Sequence, residues 1–260
     1  MPGRQVADVI FCLDASGSMG PCIDGVKKHI GSFVSGLKSD NQQTWDLRLS
    51  FLAYCAGEND GGGCTFGFQW MDAKAGGMGL IDALYRPDER QGGSSQFWTS
   101  EVSEFVAKLD AVRVYGDEAP LVALDTALDF PWRSEKDSHR VVVVLTDESL
   151  ETGVMVPEQI AVIPKLIQKL HSLRVKLFIV APSSDAFDSL CAADRCEYET
   201  VSDAHTGLMN VDFKKILGAI GKSVSVSVGD LQQVTPSKPA TRGLFGQAQW
   251  VPSNVVITGD

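Results

Sequence analysis

An apolar run near the start of the chain ends in a short polar segment that carries one carboxylate and two hydroxyl groups. Residues 9–13 are all apolar, and Asp14, Ser16 and Ser18 follow at every second position. An apolar run of this length is typical of a buried strand. Hard divalent cations such as Mg²⁺ prefer oxygen ligands and commonly take only one or two protein carboxylates. The segment therefore predicts a divalent-cation site where a strand ends.

A predicted helix follows this polar segment directly. Apolar residues recur at helical spacing between Ile23 and Leu37. The order strand, polar loop, helix is that of a site at the carboxyl end of a parallel sheet. A second interpretation remains open, in which Ser16 or Ser18 only caps the helix.

The rest of the chain alternates between apolar runs of strand length and segments with helical spacing. This order predicts a doubly wound α/β fold, Rossmann-like, with a mainly parallel sheet and helices on both faces. The predicted strands cover residues 47–54, 140–145, 175–181 and 198–201, and the predicted helices cover 102–109, 121–128, 160–170 and 213–224.

Composition divides the chain into one main domain and a short extension. We predict a domain over residues 1–229, with a glycine-rich insertion at about 56–95 that holds a strand at 65–70 and a short helix at 80–85. A brief strand is expected at 96–99. Residues 230–260 begin with a proline-containing linker composition, and two short strands would account for the remainder.

A second strand end also carries an aspartate. The β-branched run over 140–145 is followed by Thr146 and Asp147. Because parallel strands joined by crossover helices open onto the same edge of the sheet, Asp14 and Asp147 are expected to lie close together.

The pattern Asp-x-Ser-x-Ser after an apolar strand resembles the metal-ion-dependent adhesion site (MIDAS) of von Willebrand factor A (vWA) domains. The resemblance covers most of residues 6–228. It implies the vWA fold, a bound Mg²⁺ (or Mn²⁺ or Ca²⁺), and a partner protein whose Asp or Glu completes the coordination. Asp147 matches the aspartate that the family places after its fourth principal strand.

The resemblance also implies a ligand from a second loop, where the family uses a threonine or an acid. That position lies six residues before an apolar helix residue. Glu118 has this offset from Leu124, and Asp117 is the alternative. With Glu118, three carboxylates outweigh the charge of a divalent ion, so the ion would be held firmly and would be a poorer Lewis acid.

A finer likeness lies in residues 128–133, Leu-Asp-Phe-Pro-Trp-Arg, which precede the run at 140–145. This segment resembles vWA domains linked to alpha-kinases and their bacterial relatives. Trp132 is also well explained as a packed aromatic side chain.

Charge and hydropathy narrow the class of partner. The net charge of −10 argues against a nucleic-acid surface, which needs a basic stripe. No stretch approaches the roughly 20 apolar residues of a membrane span, and no basic and apolar leader opens the sequence. We therefore expect a cytoplasmic protein with no membrane partner, and all six cysteines reduced.

Catalytic patterns are weak. A phosphotransferase of the aspartyl type would need a second acid two residues after Asp14, where this chain has Ser16. No Gly-x-Ser-x-Gly segment surrounds that serine, and the four histidines are scattered. We therefore expect a metal-dependent protein-interaction module and not an enzyme. The alternatives are a Mg²⁺-dependent hydrolase or phosphatase, and a scaffold with a purely structural ion.

Overall fold

The computed structural model describes residues 4–38, 44–58, 64–72, 80–85, 96–134, 138–192, 194–202 and 205–226. The strands are β1 (Arg4–Asp14), β2 (Thr44–Glu58), β3 (Cys64–Trp70), β4 (His139–Leu145), β5 (Val175–Ala181) and β6 (Cys196–Thr200). The α-helices are α1 (Gly20–Leu37), α2 (Leu80–Tyr85), α3 (Val102–Leu109), α4 (Pro120–Leu128), α5 (Val156–Leu173), α6 (Asp185–Leu190) and α7 (Phe213–Val226). One 3₁₀ turn covers Leu150–Thr152.

The described strands form one sheet in the order β3-β2-β1-β4-β5-β6. All neighbouring pairs are parallel except β2 and β3, which are antiparallel. Strand order runs outward in both directions from β1 and β4, so the predicted doubly wound, mainly parallel α/β fold is confirmed. The boundary between these two strands is the topological switch point, where such sheets bind ligands.

Apolar side chains leave the sheet on both faces and are covered by helices. Ile10 and Cys12 of β1 join the core beneath α4 and α5. Phe11 and Leu13, which alternate with them, join the core beneath α1 and α7. A central strand buried on both faces has to be almost continuously apolar, which explains the β-branched composition of β4.

The glycine-rich region contributes to the sheet itself. The predicted strand at 65–70 is present as β3, the antiparallel edge strand, and the predicted short helix is present as α2. The brief strand expected at 96–99 is wrong, because only Thr99 pairs, in a single bridge with Leu49. The chain then turns into α3, and Thr99 Oγ1 accepts a hydrogen bond from Glu101 N near the start of that helix. The extension predicted over 230–260 lies outside the described residues.

Two further findings bear on the sequence predictions. Cys191 and Cys196 are joined as a disulfide, so the expectation of six reduced thiols is wrong for this pair. They are five positions apart in the sequence, with four residues between them, and their Cα atoms are 5.1 Å apart. Among the described helices, none has both the length and the hydropathy that crossing a membrane requires.

Candidate metal centre

Asp14 is the last residue of β1, and its side chain is fully buried. Its Oδ1 accepts a hydrogen bond from Ser16 N at 2.7 Å. Its Oδ2 accepts one from Thr146 Oγ1, also at 2.7 Å. Both oxygens of the carboxylate are therefore oriented, one by its own loop and the other by the end of the neighbouring strand.

Asp147 follows β4 and is also fully buried. Its Oδ1 accepts a hydrogen bond from Ser18 Oγ at 3.0 Å, and its Oδ2 accepts one from Gly207 N at 2.6 Å. Ser16 Oγ lies 3.4 Å from Ser18 Oγ. The polar loop after β1 and the end of β4 thus meet across the switch point, as the convergence of parallel strand ends predicts.

The two acids of the second loop differ in position. Glu118 is buried, with only 7% of its surface exposed, whereas Asp117 is exposed. The Ser16 side chain is a hydrogen-bond partner of Glu118 and lowers its pKa. The backbone of Glu118 is held as well, since Val154 N donates to Glu118 O at 3.0 Å. The structure therefore brings Glu118, and not the side chain of Asp117, to the polar loop at residues 14–18, which we call the serine loop.

The site carries excess negative charge. Burial raises the pKa of Asp14 to about 7, and the charge of Glu118 adds to this rise. Burial also raises the pKa of Glu118 to about 7, with contributions from Glu148 and Asp117. In the described parts of the chain, no lysine or arginine forms an ion pair with Asp14, Glu118 or Asp147.

The donor atoms fit a hard divalent cation. Three carboxylates and the hydroxyls of Ser16 and Ser18 offer oxygen only, which suits Mg²⁺ better than zinc, whose protein ligands are mostly nitrogen and sulfur. The described residues contain no group of three or more His, Cys, Asp or Glu side chains placed to hold a metal ion by themselves. A cation here would therefore need the hydroxyls, and Mg²⁺ commonly retains several water molecules.

Sequence reasoning missed three residues that contact the predicted ligands. Thr146 had only a partial signal, as the residue that follows the apolar run of β4, because the register that pairs Leu13 with Leu145 and so sets Thr146 beside Asp14 is a feature of the structure. Gly207 and His205 had none, because their position depends on the path of the loop before α7. His205 is exposed, donates its backbone N–H to Asp147 O at 3.0 Å, and contacts Glu148 Oε1 through Nδ1 at 2.6 Å. Of the four histidines that are scattered along the sequence, His205 therefore lies beside the candidate site.

The segment 128–133 lies near the other end of β1, away from Asp14 and the candidate site. Arg133 Nε donates to Asp8 Oδ1 at 2.7 Å, and Asp8 precedes Asp14 by six residues of extended strand, or about 20 Å. Trp132 packs against Trp98 with ring centroids 5.2 Å apart. Its Nε1 donates to Leu128 O at 3.3 Å, as expected for a packed aromatic side chain.

Neither a protein-family model nor a curated protein matches this sequence. Similar solved structures include proximal thread matrix protein 1 from the mussel byssus, at 15% identity and a TM-score of 0.48 over 85% of this chain and 47% of that chain. The same protein with a zinc-occupied MIDAS motif matches at 13% identity and a TM-score of 0.47, over 85% and 46% of the two chains. A von Willebrand factor type A structure from Catenulispora acidiphila matches at 15% identity and a TM-score of 0.46, over 83% and 42%.

The chain is similar to these solved structures, one of which is a von Willebrand factor type A structure. It spans less than half the length of each of these three structures. The TM-scores lie below 0.5, so the fold is assigned from the strand order of the sheet. The candidate site is defined by the contacts among Asp14, Ser16, Ser18, Glu118 and Asp147.

Proposed function

We propose that the protein is a protein-interaction module that binds Mg²⁺, with Mn²⁺ or Ca²⁺ as substitutes. Asp14, Ser16, Ser18, Glu118 and Asp147 hold the ion directly or through water. A carboxylate of a partner protein completes the coordination. One observation carries the proposal: the buried carboxylates of Asp14, Glu118 and Asp147 each contact Ser16 or Ser18, and no lysine or arginine of the described residues forms an ion pair with them.

Burial is the reason that this arrangement points to a cation. An ionised carboxylate removed from water costs several kcal/mol unless an opposite charge compensates it. Elsewhere in the protein the same problem has the usual solution, because Asp125 is fully buried but pairs with Lys169 Nζ at 2.7 Å. At the metal centre a bound cation would supply that compensation.

The rim of the site supports binding of a partner. Gly17 is exposed and Ser18 is half-buried, so the serine loop reaches solvent. The net charge of −10 repels an acidic partner at long range. A partner that presents Asp or Glu would therefore depend on the ion for its attraction. We propose neither a nucleic acid nor a membrane as the partner.

Thermal melting tests the metal site. A ligand that binds only the native state stabilises it by mass action, by about 2.7 kcal/mol at 100 times its dissociation constant. Mg²⁺ or Mn²⁺ is expected to raise the melting temperature of the wild type above its value in EDTA. The Asp14→Ala variant is expected to lose this rise. Melting curves that respond to Mg²⁺ equally in both proteins would exclude the proposed site.

Copurification tests the interaction. Proteins captured with the wild type are identified by mass spectrometry in Mg²⁺ and in EDTA, and capture is repeated with a Ser16→Ala/Ser18→Ala double variant. A partner that is lost in EDTA and with the double variant supports the proposal. A partner that tolerates both changes would show that the ion is structural and that the protein is a scaffold.

One observation favours a metal-dependent hydrolase as the second candidate. His205 lies beside the site, and its contact with Glu148 raises its pKa, so it is a group that could transfer protons. Against this, the surplus of carboxylates weakens a bound ion as a Lewis acid. We expect no specific phosphatase or esterase activity. Hydrolysis that is abolished by Asp14→Ala and reduced by His205→Ala would make the protein an enzyme.

The cytoplasmic location also stays a proposal. Its support is that Cys12, Cys22 and Cys55 are buried free thiols. Fractionation, with thiol labelling of Cys191 and Cys196 in freshly lysed cells, would test it. A fully oxidised pair in cells would indicate an oxidising compartment.

A further inference from the structure

Tyr54 lies beside the acidic cluster although no part of the sequence pattern includes it. It is on β2, directly opposite Asp14 in the register of β1 and β2, and its carbonyl accepts a hydrogen bond from Ala15 N at 2.7 Å. Its side chain joins the core beneath α4 and α5, together with Ile10 and Cys12 of β1. Because side chains alternate along β1, Asp14 emerges on that same face.

The Tyr54 hydroxyl is a buried polar group without a completed hydrogen bond. The residue is 1% exposed, and Oη has no hydrogen-bond partner in the part of the chain that the structure describes. Burial raises the pKa of the phenol well above its ordinary value, and the charges of Asp14 and Glu118 raise it further. The hydroxyl of Thr146, which donates to Asp14, acts in the opposite direction and lowers that pKa, although Thr146 Oγ1 and Tyr54 Oη do not meet the geometry of a hydrogen bond. A phenol is protonated at neutral pH, and the register of β1 and β2 places Tyr54 beside Asp14 on the same face of the sheet.

A protonated phenol near carboxylates is a hydrogen-bond donor, and a buried donor that stays unsatisfied destabilises the fold. Water bound inside proteins typically makes about three hydrogen bonds to such polar groups. Mg²⁺ usually keeps several of its water ligands, which are strong hydrogen-bond donors but poor acceptors. A further water molecule that does not ligate the ion accepts from a phenol and donates both of its hydrogens to neighbouring carboxylates.

We propose that Tyr54 is a further residue of the cation site, where its hydroxyl donates to a water molecule held between Tyr54, Asp14 and Glu118. This inference rests on the proposed Mg²⁺ site. Tyr54 does not ligate the ion in this arrangement. It orients a water molecule on the buried side of the site, opposite the solvent-exposed rim at Gly17.

The structure offers a matched control for this assignment. Ser50 is also on β2, is fully buried, and has a hydroxyl without a hydrogen-bond partner among the described residues. It pairs with Ile10, four residues before Asp14 on β1. Removing either hydroxyl removes a buried unsatisfied group, but only Tyr54 lies beside the acids.

The experiment compares Tyr54→Phe and Ser50→Ala by calorimetric titration with Mg²⁺ and by thermal melting in EDTA. In EDTA we expect both variants to melt at or above the wild-type temperature, because an unsatisfied polar group has been removed. We expect Tyr54→Phe to bind Mg²⁺ about threefold to tenfold more weakly, which is the effect of one lost hydrogen bond. Ser50→Ala is expected to bind like the wild type.

Each other outcome has a definite meaning. Equal affinity of Tyr54→Phe and the wild type would overturn the assignment of Tyr54 while leaving the metal site in place. A Tyr54→Phe variant that melts well below the wild type in EDTA, or fails to fold, would show that the hydroxyl is structural and would overturn it as well. A wild type that does not bind Mg²⁺ would overturn the proposed function itself.

Discussion

At the scale of single residues, the decisive contrast is between two neighbouring acids. Asp117 pairs with Ala56 through its backbone in both directions, at 2.8 Å, and its side chain is exposed. Glu118 is buried and has Ser16 as a hydrogen-bond partner. An isolated bridge thus holds Asp117 on the outside, and the next side chain in the chain points the other way, towards the serine loop.

This contrast predicts unequal effects on metal binding. Glu118→Ala is expected to weaken Mg²⁺ binding by about tenfold or more, because groups around a metal commonly contribute about 10- to 100-fold in affinity. Asp117→Ala is expected to change it little, since an exposed charge is screened by solvent. Glu118→Thr should retain binding and leave a more electrophilic ion. Calorimetric titration of the three variants measures the difference. A larger loss from Asp117→Ala would show that the wrong acid has been assigned.

At the scale of elements, the loop before α7 contacts both the serine loop and the segment after β4 that carries Asp147. Gly207 N donates to Asp147 Oδ2, and His205 N donates to Asp147 O. Gly207 has a φ of +65°, and a Cβ atom there would lie 2.2 Å from Ser18 O. His205 and Leu208 also have positive φ values, of 58° and 57°. Strained backbone of this kind is concentrated at functional sites, where the surrounding structure maintains it.

Gly207→Ala is therefore expected to affect both folding and binding. The left-handed conformation costs an alanine about 1–2 kcal/mol, and the contact with Ser18 O adds to that cost. Displacing Ser18 and Asp147 should also weaken binding of Mg²⁺. Denaturant unfolding and Mg²⁺ titration measure the two effects.

Gly17→Ala is the control for this substitution. Gly17 lies in the serine loop itself, has no positive φ, and has open space where a Cβ atom would be added. We expect it to retain wild-type stability and affinity. If Gly207→Ala were tolerated equally well, the loop before α7 would have no part in the site.

At the scale of the whole molecule, the site couples stability to pH. The native pKa values of Asp14 and Glu118 are both raised to about 7, above ordinary values of 3.8 and 4.5. Between the unfolded and native values the native state binds more protons than the unfolded state. The stability contributed by these two groups is therefore fully present at low pH and is lost as pH rises through about 7.

The metal-free protein is thus expected to become less stable between pH 6.5 and 8, while Mg²⁺ binding becomes tighter because its carboxylates ionise. Burial lowers the pKa of His139 from 6.5 to about 4, so its contribution makes stability rise with pH between these two values. Above pH 6.5 this contribution no longer changes. The raised pKa of His205 also makes stability fall as pH rises, in the same direction as the two acids. The Asp14→Asn variant separates the contribution of Asp14 from that of His205. Urea unfolding in EDTA and in Mg²⁺ at each pH measures both trends. Metal-free stability that rises over this window, or an unchanged slope in Asp14→Asn, would contradict the expectation.

The local patterns in the sequence were sufficient for the main elements of the fold. Every central strand and every long helix was predicted from the spacing of apolar residues. Apolar residues that recur with period 2 or 3.6 lie on one face of a strand or a helix, and whatever element packs on that face buries them. The strand predicted at 96–99 was wrong because that prediction used the same apolar spacing over a much shorter segment. Its apolar residues pack without pairing, and a run of four residues cannot distinguish the two outcomes.

The sequence by itself determined the chemistry of the loop at residues 14–18 and the meeting of Asp14 with Asp147, because parallel strands have only one edge at which their carboxyl ends converge. The family resemblance favoured Glu118 over Asp117 through its offset from Leu124, but the physical reason, a single bridge that holds Asp117 outside, is visible only in the tertiary structure. Tertiary structure alone decided the contacts of Gly207 and Tyr54. Hydrogen bonds such as that of Gly207 to Asp147, 60 residues apart, depend on the path of a loop and the register of a strand, and neither leaves a periodic trace in the chain.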